Sequence, residues 1–126
     1  MIPDNKTNFL YLADTLPKKY PTFYTRFENL LNESKINFKL IPQTKDVWAV
    51  DYMPIQIDTN NFVRFVYNPI YLQSQKYLKT ISDVDTICEL IGIETIKSNI
   101  IIDGGNVTKT TDKVIMTDRI FKDNPT

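Results

Sequence analysis

Lys45-Asp46-Val47-Trp48-Ala49-Val50-Asp51-Tyr52-Met53-Pro54-Ile55-Gln56 puts the chain's one tryptophan, two carboxylates and a turn-making proline just after an apolar segment. A planar guanidinium is best met by carboxylates, which offer two acceptor oxygens at matching spacing. An indole face adds cation–π attraction and excludes water. Asp51 with Trp48 nearby therefore has the chemistry of a guanidinium clamp. Asp46 supplies a second anchor or holds the loop, and Pro54 stiffens the turn. The plainer reading is a tryptophan that anchors the core beside solvated acids.

About fifty residues on comes a second unusual element, Ile102-Asp103-Gly104-Gly105-Asn106, between two apolar segments. Paired glycines permit positive φ and close backbone approach. A tight turn between strands is the simplest account. The glycines do not form a phosphate-binding loop, because the further glycine and the Lys-Ser/Thr signature are absent.

Around these elements the periodicities alternate between strand and helix. Phe9 to Ala13 reads as a buried strand, and Asp14 to Tyr20 as a loop held open by Pro17 and closed by Pro21. Thr22 is a candidate cap for a helix with the apolar stripe Phe23, Phe27, Leu30 and Leu31. Ile36, Phe38 and Leu40 alternate with polar residues, as in a half-buried strand. Met53–Asp58 and Phe62–Tyr67 read as a hairpin around Thr59-Asn60-Asn61, since asparagine tolerates left-handed backbone. Ser82 opens a second helix with Asp85 as a capping-box variant, the inward stripe Val84, Ile87, Cys88 and Ile91, and a stop at Gly92. Asn99–Ile102 is an apolar strand. Val107–Thr110 and Lys113–Thr117 form another hairpin, and the tail from Asp118 is polar. A helix, a strand and a hairpin thus occur twice in succession, which suggests a modular α/β architecture.

Length and composition narrow the function classes. The chain has 126 residues, 42% of them apolar, enough for one domain with a modest core. Its formal charge is zero, so a non-specific pull toward nucleic acid or anionic lipid is not expected. The start, Met1-Ile2-Pro3-Asp4, has no signal-peptide pattern, and no apolar run nears the roughly 20 residues of a membrane helix. One cysteine excludes an internal disulfide framework and a cysteine-based zinc cluster. These features fit a soluble cytoplasmic protein, and the abundance of Ile, Lys and Asn fits an AT-rich bacterial genome.

Both motifs resemble those of the agmatine deiminase and bacterial peptidylarginine deiminase family of guanidine-modifying enzymes. That family carries Asp-x-Trp-x-Arg-Asp-x-x-Pro, matched here by Asp46, Trp48, Asp51 and Pro54; Val50 replaces the arginine. It also carries an acidic residue before Gly-Gly-Asn at the rim of its site, matched by Asp103, Gly104, Gly105 and Asn106. The resemblance runs from about residue 8 to the end of the chain, and it covers only the N-terminal part of a family member. It implies a pentein, an α/β propeller of five ββαβ modules, with residues 1–126 as a single partial domain of about two modules. It implies Asp51 as the catalytic carboxylate that binds the guanidinium. Trp48, Asp46, Asp103, Gly105 and Asn106 are implied as substrate-binding residues, with no cofactor and no metal.

The implied reaction hydrolyses a guanidino group of agmatine or an arginine-like compound to a ureido product and ammonia. A cysteine thiolate attacks and a histidine moves protons. This chain has no histidine, and its one cysteine, Cys88, lies on an apolar helical stripe rather than in an electropositive setting that activates a thiol. The chain alone is therefore expected to be inactive. The alternative is a non-catalytic guanidino-ligand binder or a self-associating remnant. In either case missing C-terminal modules leave open faces, so self-association is expected.

Overall fold

A computed structural model describes Met1–Thr126. Strands β1 (Leu10–Ala13) and β2 (Phe38–Ile41) pair in parallel, from Leu10 opposite Phe38 to Ala13 opposite Ile41. Parallel strands need a crossover, and helices α1 (Thr15–Lys19) and α2 (Pro21–Glu33) supply it. The loop expected over Asp14–Tyr20 is thus mostly helix. Pro17 does not prevent this, because it lies in the first turn, where backbone N–H groups have no helical partner. Pro21 likewise begins α2 at its first position, so Tyr20 rather than Thr22 stands at the N-cap.

Of the four apolar residues in the α2 stripe, only Leu31 is buried, at 3% exposure. Phe23 and Leu30 are each 56% exposed, and Phe23 stacks on Phe27 at 5.5 Å on the outer side. A two-stranded sheet, with strands about 4.8 Å apart, is too narrow to cover the whole stripe.

The second sheet has the order β3-β4-β5. β3 (Ile55–Gln56) and β4 (Phe62–Val66) form the expected hairpin, with a shorter first arm. Asp58 tightens its turn by accepting N–H bonds from Asn60 and Asn61 at 3.1 and 3.0 Å. β5 (Thr95–Ile101) pairs in parallel with β4 and begins earlier than the expected Asn99. The crossover contains α4 (Gln75–Leu78) and α5 (Val84–Ile91). Asp83, not Ser82, caps α5: its carboxylate accepts from the Thr86 N–H at 3.2 Å. Ser82 instead accepts from the Lys45 N–H at 2.9 Å, tying α5 to the tryptophan segment. Gly92 ends the helix at φ 72°, as its sequence position implies.

β6 (Val107–Lys109) and β7 (Val114–Met116) form the last hairpin. The tail then folds as α6 (Arg119–Asp123), held by an i,i+4 Arg119–Asp123 pair. The protein is therefore mixed α/β. β3-β4-α5-β5 is a strand–strand–helix–strand unit, preceded by the strand–helix–strand β1-α2-β2 and followed by the pair β6-β7. No helix is long and apolar enough to cross a membrane.

The core is small. Only 13 of 126 residues are buried, and its largest cluster joins Tyr52, Val84 and Cys88, packed by Ala49, Met53, Tyr67 and Ile93. The accessible surface is 8672 Å², against about 6,900 Å² for a compact monomer of this mass. The excess includes open apolar side chains such as Ile96, Ile115 and Phe121.

Candidate functional site

The residues after β2, β4, β5 and β7 converge. Those after the three parallel-paired strands, β2, β4 and β5, leave their carboxyl ends, where ligand crevices of α/β sheets form. After β2 the chain passes Asp46 and turns into a short helix, α3 (Ala49–Tyr52), with Trp48 as its N-cap. The start of this segment is a loop, as expected; the helix that follows has only four residues and carries no periodic signal. Tyr52 fixes it. Its ring is buried at 2% exposure, and its hydroxyl donates to the Asp46 carbonyl at 2.9 Å. Anchoring Tyr52 inward turns Asp51, its neighbour, toward the loop after β5.

That loop is a single 3₁₀ turn over Gly104–Asn106, capped by Asp103. Neither Gly104 nor Gly105 has positive φ; the only glycine that does is Gly92. The glycines serve close approach instead. A Cβ built on Gly104 would overlap the Val50 carbonyl oxygen and meet the Phe65 ring at 3.1 Å. A Cβ built on Gly105 would overlap Asp51 Oδ1. Two motifs about fifty residues apart in sequence thus meet face to face, with the Asp51 and Asp103 carboxyls side by side.

This proximity governs the electrostatics. Burial, then the Asp103 charge and its hydrogen bond, then Asp46 push the Asp51 carboxyl up to about 6, partly opposed by the Gly105 N–H. Asp103 is held more fully: Oδ1 accepts from the Gly105 N–H at 3.0 Å and Oδ2 from the Tyr71 hydroxyl at 2.9 Å. Tyr67 adds a phenol 3.4 Å from that of Tyr71. Burial raises both phenols above their ordinary range, which keeps them neutral.

Asp46, Trp48, Asp51, Asp103, Gly105 and Asn106 all line one open cleft of about 810 Å³, a volume suited to a small molecule. Trp48 forms an outer wall at 63% exposure, which sets aside the core-anchor alternative. Asp46 is partly occupied within its own segment, accepting from the Val47 N–H at 2.7 Å and lying 3.6 Å from Lys19 Nζ. Asn106 accepts from the Thr117 N–H at 3.4 Å and so joins the loop to the last hairpin. No group of three or more acidic or cysteine side chains is placed to hold a metal ion.

Several lining residues were not singled out from sequence. Tyr67 and Tyr71 read there as a strand end and the loop beyond it, and Arg119 and Asp123 as polar tail. The spacing of four in each pair was the available signal. Cys88 lies outside the cleft, in the cluster around Tyr52, and burial pushes its thiol up. The arrangement is an open recess lined by carboxylates and walled by aromatic rings. Neither a family model nor a curated protein sequence matches this chain.

Proposed function

We propose that the cleft binds a guanidino group, and that the chain is the N-terminal part of an agmatine deiminase-like hydrolase. One observation carries this reading: Asp51 and Asp103, from two separate motifs, lie together against a glycine pair beside an exposed indole. A guanidinium seated there gives each carboxylate a bidentate partner and removes the repulsion between them. Trp48 covers one face of the cation. Asp51 is the group that meets the reacting end, and binding a cation favours its ionised form. The β3-β4-α5-β5 unit supports this reading by its ββαβ order, and the open apolar side chains are compatible with neighbouring modules packing on them. The complete cytoplasmic enzyme would draw its histidine and nucleophilic cysteine from further modules.

The second reading, a non-catalytic guanidino-ligand binder that associates through its open faces, is favoured by the absence of histidine and by the inert Cys88. A coding sequence that continues past Thr126 with a His-x-Asp element and a late cysteine separates the first reading from the second.

The expected result for this chain is binding without turnover. ¹⁵N-resolved titration with agmatine or arginine should shift the amides of residues 46–52 and 103–106, while a colorimetric ureido assay stays at background. Loss of thiolate attack or proton transfer each removes several orders of magnitude, about 10³-fold or more. Turnover that vanishes in Cys88→Ser would show the nucleophile to be misplaced. No shift at either segment would sink the binding reading.

A further inference from the structure

The cleft that gathers the carboxylates also contains one guanidinium of the chain itself, that of Arg119. Its side chain is not loose. Nε donates to both carboxylate oxygens of Asp123, at 3.0 and 2.9 Å, and that carboxylate is only 7% exposed. The short helix carrying both residues is fastened at each end. Before it, the Thr117 N–H donates to Asn106 in the glycine loop at 3.4 Å. After it, Asn124 exchanges two hydrogen bonds of 2.8 Å with the backbone of Ile101, at the end of β5. Arg119 is thereby placed beside the loop that carries Asp103.

Using Nε on Asp123 leaves the terminal Nη1 and Nη2 groups without a hydrogen-bond partner in the chain. Two parallel N–H donors on a fixed planar fork match a carboxylate. A recess that received only cations would have no use for them. The fork would hold an anionic group at the far end of a ligand and offers a cationic one no partner.

We infer that Arg119 is a specificity-determining residue that pairs with a carboxylate on the ligand, so that the cleft selects guanidino acids over guanidino amines. This inference rests on the guanidinium reading of Asp51 and Asp103. Arginine and agmatine form the natural test pair, because they share the guanidinium, the carbon chain and the amine, and differ only in the carboxylate.

The experiment is calorimetric titration of the full chain and its Arg119→Ala, Arg119→Lys and Asp51→Asn variants with each compound. Wild type should bind arginine about tenfold more tightly than agmatine. Arg119→Ala should weaken arginine and tighten agmatine, changes of opposite sign that a merely structural loss cannot produce. Arg119→Lys should keep part of the preference, since the charge remains but the fork is gone. If Arg119→Ala fails to fold, Arg119→Gln carries the same opposite-sign expectation. Agmatine binding that depends on Asp51, with both ligands moving together or not at all in the Arg119 variants, would overturn this inference and leave the guanidinium reading intact. If neither compound binds wild type, or if Asp51→Asn binds both unchanged, the guanidinium reading fails and the inference falls with it.

Discussion

Asp51→Asn is expected to make the folded chain more stable at neutral pH while strongly weakening guanidinium binding. The carboxyl is held at about 6 when folded, against an ordinary value of 3.8, mainly by burial and then by Asp103. The folded state therefore holds this proton more tightly than the unfolded chain does. The associated stability is fully present below about pH 3.8 and is lost as pH rises through about 6. Above that, the native chain carries two carboxylates in contact. Asparagine keeps the shape and removes one charge. Allowing for the screening of a part-exposed site, the variant should gain about 1 kcal/mol above pH 7 and nothing at pH 4.

Binding should move the other way. Removing one partner of a charge-assisted pair costs at least about 2 kcal/mol, or roughly 30-fold or more in affinity. Wild-type affinity should itself fall below about pH 6, as Asp51 takes up its proton. Urea melts at pH 4.5 and 8, paired with calorimetric titration, test both halves; urea is needed because guanidinium chloride would compete for the cleft. A variant no more stable than wild type at pH 8, or one that binds agmatine as tightly as wild type, would refute the account.

Gly104→Val is expected to have the largest effect on the fold. Any Cβ at this position meets the Val50 carbonyl oxygen and the Phe65 ring, one backbone and the other buried, so neither can swing aside. The loop and α3 must separate, at a cost of about 3 kcal/mol or more, a large share of the stability of a chain with so small a core. Gly105→Ala tests the same interface differently. Its Cβ meets the Asp51 carboxylate, the movable end of a side chain. That variant should melt within about 1 kcal/mol of wild type and yet lose ligand binding. Urea midpoints and amide titrations separate the two outcomes. A Gly104→Val protein that melts like wild type would show that the contact between the motifs is not structural.

The strands and the two longer helices were legible in the sequence because their periods are long enough to register. The Gly92 stop was legible because it rests on one local backbone requirement, a left-handed glycine. The hairpin turn was placed correctly, but neither Asn60 nor Asn61 is left-handed and the Asp58 carboxylate holds it instead. Helices α1, α3 and α6, of four or five residues, span too little sequence for an apolar stripe. They form because tertiary groups hold their ends: Thr44 on Asp14, Tyr52 on Asp46, Asn124 on Ile101. Both caps were misplaced by one or two residues for a related reason. Thr22 and Ser82 are good caps in isolation, but Pro21 prefers the first helical position and Ser82 is taken by Lys45. The acidic half of the cleft was visible because Trp48, Asp51 and the glycine pair are unusual residues in unusual spacing. Tyr71 and Arg119 were not, since tyrosine after a strand and arginine in a polar tail are ordinary until the fold brings them to Asp103.

The wall that Trp48 forms has an optical consequence. It is the only indole in the chain, and it is largely exposed at the mouth of the cleft rather than in the core. Its fluorescence in the empty protein is therefore expected to be that of a largely solvated indole, with red-shifted emission. A cation settling over that ring would displace the water around it and perturb a single indole, with no second tryptophan to mask the change. The same position that suits the side chain to enclose a ligand makes the protein its own titration probe, readable at low concentration without any label.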